Sequence, residues 1–196
     1  MNHGRGSCAA VPASARPQVQ TMHNVLFLCT GNSARSILAE CLLNTLGAGR
    51  FHAYSAGSHP AGRIHPLALE LVERKGWPVA SLRSKFWDEF AQPDAPRMDI
   101  IITVCDSAAG ESCPVWPGHP AHAHWSTPDP AAATGSMAQQ QNAFAGVFAV
   151  LRRRIELLLA LPLAKLDATS LQSALQAIPR QAGESGAGSC GHGCDR

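Results

Sequence analysis

Apolar positions along this chain come in short continuous runs separated by stretches with helical spacing. Val25-Leu26-Phe27-Leu28 is the first run, and it ends in Cys29. Beyond it, Ile37, Leu38, Cys41, Leu42, Thr45 and Leu46 recur on one helix face, and Gly47 and Gly49 stop that helix. Phe51 to Gly57 reads as a second strand. Pro66 then opens a helix through Leu67, Leu71 and Val72 that closes at Lys75-Gly76. Arg83 to Phe90 is expected as a short helix. Met98 to Val104 is another continuous apolar run, as in a parallel strand covered on both faces, and it ends at Cys105. From Asp106 to Pro130 the chain is rich in Gly, Pro, His and Ser, a long loop region with a short strand near Ala121 to Trp125. Loops of this length in a compact domain usually carry function. Phe144, Val147, Phe148, Leu151, Ile155, Leu158 and Leu159 mark a long helix, Leu161-Pro162-Leu163 breaks it, and Leu166 to Ile178 gives another short helix.

Strands alternating with helices over short connections predict an α/β doubly wound parallel sheet with helices on both faces. In such sheets the site lies beyond the carboxyl ends of the strands. Cys29, Gly57 and Cys105 all fall at those ends.

Composition sets the frame. At 196 residues, 45% hydrophobic and 15% charged, the chain suits one globular domain with a real core. A formal net charge of +2 does not suggest a nucleic-acid-binding surface, and no apolar run reaches transmembrane length. Residues 1–22 lack the apolar stretch of a secretory signal and are expected as a disordered extension, with Met22 an internal candidate start. The domain is expected over residues 23–179, and the Gly/Ser-rich residues 180–196 as a disordered tail. Cysteines at 8, 29, 41, 105, 113, 190 and 194 fit redox or nucleophilic use in the cytoplasm better than a secreted disulfide scaffold.

The densest chemistry is Cys29-Thr30-Gly31-Asn32-Ser33-Ala34-Arg35-Ser36, between the first strand and the first helix. Successive backbone N–H groups in a tight loop form an anion nest, and the helix that follows turns its positive end to the same point. A cysteine at the base of the nest is expected to ionise well below the free value of about 8.5. Arg35 adds a planar fork for two oxyanion oxygens. Gly31 and Asn32 suit left-handed backbone positions in such a loop. Cys41 lies on the apolar helix stripe and reads as a small buried hydrophobe.

Asp129, held between Pro128 and Pro130, can protonate a leaving oxygen if it reaches this loop, and is otherwise an acid in an exposed turn. Cys105 and Cys113, joined by a linker of small residues, are either a redox pair or unrelated loop thiols. His119 and His122 read as surface residues and His124 as part of the short strand, without a role. Cys190-Gly191-His192-Gly193-Cys194 offers soft metal ligands but too few for a structural zinc site.

The run Cys29 to Ser36 resembles the anion loop of the low-molecular-weight protein tyrosine phosphatase superfamily. With Thr30, Ser33, Cys105 and Cys113 it is most similar to the arsenate reductase branch. Ser55-Ala56-Gly57, Thr103-Val104-Cys105-Asp106, Cys113-Pro114-Val115-Trp116-Pro117-Gly118 and Pro128-Asp129-Pro130 extend the likeness over about Asn24 to Leu175. The resemblance implies a four-stranded parallel sheet flanked by helices, with flavodoxin-like layering. It implies that Cys29 attacks arsenate, that Thr30, Gly31, Asn32, Ser33, Ala34, Arg35 and Ser36 hold the oxyanion, and that Asp129 protonates the departing oxygen. Ser36 would hydrogen-bond the thiolate and Asn32 would brace the loop. The second thiol is either Cys105, resolved by Cys113 and reduced by thioredoxin, or external glutathione or mycothiol with a glutaredoxin-type protein. The internal route is favoured. Lys85 falls where some relatives use an acid to bind a cation, so no metal and no tightly bound cofactor is expected, and the chain is expected to act as a monomer without membrane or nucleic-acid partners. A tyrosine phosphatase is the alternative, but Ala131-Ala132-Ala133 stands where a phenyl ring would need an aromatic wall, and Tyr54 is the only tyrosine. An arsenical-binding module is the non-enzymatic alternative.

Overall fold

The computed structural model describes residues 22–111 and 114–183. Cys8, Cys113, Cys190, His192 and Cys194 therefore lie outside the described residues, as do nearly all of the expected N-terminal extension and most of the expected tail. The elements in chain order are β1 (His23–Cys29), α1 (Arg35–Leu46), β2 (Phe51–Gly57), α2 (Pro66–Glu73), β3 (Ile100–Thr103), α3 (Asp106–Ala109), β4 (Ala121–His124), α4 (Met137–Leu159) and α5 (Ala168–Gln181). All strands are parallel in the order β2-β1-β3-β4, which is the four-stranded α/β sheet expected. The register sets Cys29 opposite Gly57 and Leu28 opposite Thr103, so the carboxyl ends of the central strands finish at one level.

Alternation along β1 separates two cores. Val25 and Phe27 point to one face, where α1, α2, α4 and α5 gather with Trp125. Leu26 and Leu28 point to the other, which is covered by Trp87, Phe90, Met98 and Trp116. The long helices thus lie on one face, and the helix of the second face is the short 3-10 helix Trp87–Phe90. Sequence spacing places a helix over the whole of Arg83 to Phe90. Its first part is instead extended, because Phe86 bridges Gly57 beside the sheet.

Local chemistry sets the ends of the helices. His65 caps α2 ahead of Pro66, Ser136 and Gln139 form a capping box on α4, and the Asp167 carboxylate accepts from Ser170 N–H at the start of α5. α5 runs on through Arg180 and Gln181, past the point where the tail is expected to begin. It also seals the outer strand. The Gln172 amide bonds both the N–H and the carbonyl of His122 at 2.7 and 2.5 Å, as a neighbouring strand would, so β4 is left with no open edge there. The Trp125 indole N–H donates to the Leu175 carbonyl at 3.1 Å.

Candidate active site

β1 delivers Cys29 to the base of a loop whose carbonyls are tied outward. His59 N–H bonds the Thr30 carbonyl at 3.0 Å, Ala61 N–H the Gly31 carbonyl at 2.9 Å, and His65 N–H the Ser33 carbonyl at 2.9 Å. The N–H groups of Gly31, Ser33, Ala34 and Arg35 find no acceptor among the described residues. They are the nest, and the open amino end of α1 adds its dipole. Asn32 takes the left-handed backbone, with φ of 40°, whereas Gly31 does not, a correction to the expectation that both would. The glycine the loop needs is Gly57. A Cβ there would collide with the Thr30 carbonyl oxygen and stand 3.0 Å from Asn32.

Cys29 Sγ accepts the Asn32 N–H at 3.1 Å and lies 3.0 Å from the Ser36 hydroxyl. Ser36 Oγ itself accepts from Asn32 Nδ2 at 2.9 Å, which leaves its hydrogen for the sulfur. Asn32 is fully used: Nδ2 also donates to Ser55 Oγ at 2.9 Å, and Oδ1 accepts the Lys85 N–H at 2.6 Å. Ser55 in turn donates to Glu40, which is paired with Lys85 at 3.2 Å, both buried. One connected chain of bonds therefore runs from a buried ion pair to the thiol.

The expected lowering of the Cys29 pKa is not what the structure gives. Burial pushes the thiol up, and the neighbouring Cys105 adds to this, against the downward pull of Ser36 and Asn32. Arg35 is not among the groups that pull the thiol down, and its own fork is engaged elsewhere: Nη2 bonds the Asp129 carboxylate at 2.9 Å and Nη1 the Thr127 carbonyl at 3.3 Å. The same pair brings Asp129 into the site, which spacing alone leaves open. Asp129 also accepts the Ala131 N–H at 3.1 Å, which fixes its segment.

β3 brings Cys105 to the same edge. It is buried, accepts the Ala108 N–H at 3.4 Å, and lies 3.7 Å from Thr30 Oγ1 of the anion loop. Cys41 is buried and pushed up to about 12 by burial, in keeping with an inert core thiol. His124 bonds Asp106 at 2.9 Å and Thr103 at 2.8 Å. Among the described residues no group of three or more His, Cys, Asp and Glu side chains could hold a metal.

The site thus sets a thiol beneath a loop of N–H groups unpaired among the described residues, with an arginine, an acid and a second thiol nearby. The family model described as low molecular weight phosphotyrosine protein phosphatase matches residues 24–173. The chain belongs to that family. It is 34% identical to an arsenate reductase of Bacillus subtilis (strain 168), over 57% of this chain and 77% of the relative. It is 31% identical to an arsenate reductase of Halalkalibacterium halodurans, over 67% of this chain and 91% of the relative. A solved structure described as an arsenate reductase in the phosphate binding state superimposes with a TM-score of 0.58 at 29% identity, covering 71% of this chain and 98% of that one.

Against the phosphatase family background, the described site has little to hold an aryl ester. The Asp129 segment continues as Ala131 to Ala133, and Tyr54 stacks on His52 at 4.6 Å, out along β2. Sequence reasoning missed three features: the clamp from His59 to His65, the Glu40 to Asn32 chain, and Glu111, whose Oε1 lies 3.5 Å from Thr30 Oγ1. Glu40 carried a signal, as a carboxylate inside the apolar run Ile37 to Leu43. Backbone clamps leave none.

Proposed function

We propose that this protein is a thiol-dependent arsenate reductase. The observation that carries the reading is the second thiol: Cys105 stands beside the anion loop, touching Thr30, where a hydrolase needs only water. The sequence likeness to arsenate reductases supports it, as does the missing aromatic wall.

Arsenate displaces Asp129 from Arg35 and takes the fork together with the loop N–H groups, a preorganised set of donors for a tetrahedral oxyanion. The Cys29 proton passes to the bound arsenate dianion, the resulting thiolate attacks arsenic, an As–O bond breaks, and Asp129 gives the departing oxygen its proton, so that water leaves. Cys29 then carries As(V) through sulfur. The Cys105 thiolate attacks Cys29 Sγ, the S–As bond breaks, and its electron pair stays on arsenic, which leaves as arsenite. Cys113 attacks Cys105, freeing Cys29 and leaving a Cys105–Cys113 disulfide. An external thiol reductant, of the thioredoxin type for such a disulfide, returns the two electrons. We place the cycle in a reducing compartment, the cytoplasm.

The test pairs arsenate-dependent NADPH oxidation in a thioredoxin or glutathione system with para-nitrophenyl phosphate hydrolysis by the same preparation. Arsenite production with slow ester turnover is expected. Fast ester turnover without arsenite would make the protein a phosphatase.

A further inference from the structure

Thr30 lies between two groups that have no part in holding the anion. Its Oγ1 is 3.7 Å from Cys105 Sγ on one side and 3.5 Å from Glu111 Oε1 on the other. A carboxylate only accepts, so the single hydroxyl hydrogen of Thr30 is directed to Glu111, and its lone pairs are left for Cys105. The Cys105 S–H is then the donor, in a line that runs S–H to O–H to carboxylate. These separations are long, as catalytic hydrogen bonds often are before substrate binds. The second oxygen of Glu111, Oε2, is buried and has no hydrogen-bond partner among the described residues. The carboxylate therefore has acceptor capacity left over beside the Thr30 hydroxyl.

We propose that Glu111 is a positioning residue for Cys105, drawing off its proton through the Thr30 hydroxyl so that Cys105 meets Cys29 as a thiolate. The step balances within the protein. The Cys105 proton moves to Thr30 Oγ1 as the Thr30 hydrogen moves to Glu111, leaving a thiolate, an unchanged threonine and a neutral carboxylic acid. No electrons move until Cys105 forms its bond to Cys29. Among the described residues, the other ionisable groups around the pair are Cys29 on β1, Asp106 on α3 bonded to His124 of β4, and Arg35 of α1 paired with Asp129. Among them, Glu111 has the contact to the Thr30 hydroxyl and the unpartnered oxygen.

The inference rests on the reading of Cys105 as the attacking thiol, and the experiment separates the two. Fully reduced wild type and Glu111→Gln are mixed with arsenate in the absence of any external thiol, and arsenite release is followed in time across a range of pH. The expected result is a Glu111→Gln rate lower by about ten-fold or more near neutral pH, the factor for each unit by which a thiolate fraction moves. That gap should close at alkaline pH, where hydroxide in the solvent replaces the carboxylate as the base. Protection against heat by inorganic phosphate, which depends on the anion loop, is retained. An unchanged rate, a loss equal at every pH, or lost phosphate protection would each overturn the role of Glu111. A wild type that releases no arsenite without external thiol would instead remove the reading of Cys105, and this proposal with it.

Discussion

Replacing Lys85 by methionine tests the chain of bonds behind Cys29. The Lys85 side chain is 6% exposed and its partner Glu40 9%, with 3.2 Å between the charged atoms. Methionine fills similar volume and keeps the Lys85 backbone N–H, so the 2.6 Å bond to Asn32 survives while the charge and its hydrogen bonds to Glu40 are lost. Glu40 then has only the Ser55 hydroxyl and the weaker pull of His52 against its burial. Breaking a buried pair by removing one partner costs about 3–5 kcal/mol. For a chain of this size that is a fall in melting temperature of roughly 6–20 °C near neutral pH. The sign with pH follows from Glu40, whose carboxyl is already pushed up by burial despite Lys85. Without Lys85 it rises further. A carboxyl raised above its unfolded value of about 4.3 costs nothing below that value and progressively more above it. The deficit should therefore shrink in acid and grow toward neutrality. Converting Glu40 to leucine in the same protein removes the uncompensated charge and should restore most of the loss. Thermal melts of wild type, Lys85→Met and the double variant at acid and neutral pH decide it. A single variant that melts with the wild type at neutral pH, or a double variant no better than the single, would refute the reasoning.

The remaining predictions concern the site. Asp129→Asn should lower arsenate turnover by about 10²-fold or more, the usual weight of a general acid, while leaving phosphate binding measurable by calorimetry. Ser36→Ala removes the hydroxyl donor from Cys29 Sγ, and a hydrogen bond to a charged group is worth about 1.5–3 kcal/mol, so inactivation by iodoacetamide should need a pH about one to two units higher. Gly57→Ala forces a methyl group onto the Thr30 carbonyl and should cost about 1–3 kcal/mol in urea denaturation, with a larger loss of turnover because the displaced atom belongs to the anion loop.

Much of this site was legible because its parts are local. Cys29 to Ser36 is one continuous stretch, and the ends of the apolar runs placed Cys105 at the same edge of the sheet before any coordinates. Asp129 was half legible. Its flanking prolines gave a stiff segment, but only the salt bridge from Arg35, ninety-four positions away, brings it to the loop. The ionisation of Cys29 was misjudged for a physical reason. The motif displays every group that favours a thiolate, whereas the burial that opposes it, and the turn of Arg35 toward Asp129, belong to the assembled fold. Glu40, Ser55, Lys85 and Glu111 meet the loop from separate segments, and no spacing rule connects them. The same holds for the second sheet face, where an extended Phe86 bridging Gly57 replaces the first half of the expected helix.

The central claim is that Cys105 attacks Cys29 and that thiols of this chain, without an external one, supply the two electrons. The most direct test is one turnover of fully reduced protein with arsenate and no other thiol, counting arsenite released and thiols lost, in wild type and Cys105→Ser. The mechanism predicts one arsenite per chain and two thiols lost in the wild type, and no arsenite from Cys105→Ser. Equal arsenite from Cys105→Ser, or none from the wild type until an external thiol is added, would contradict it.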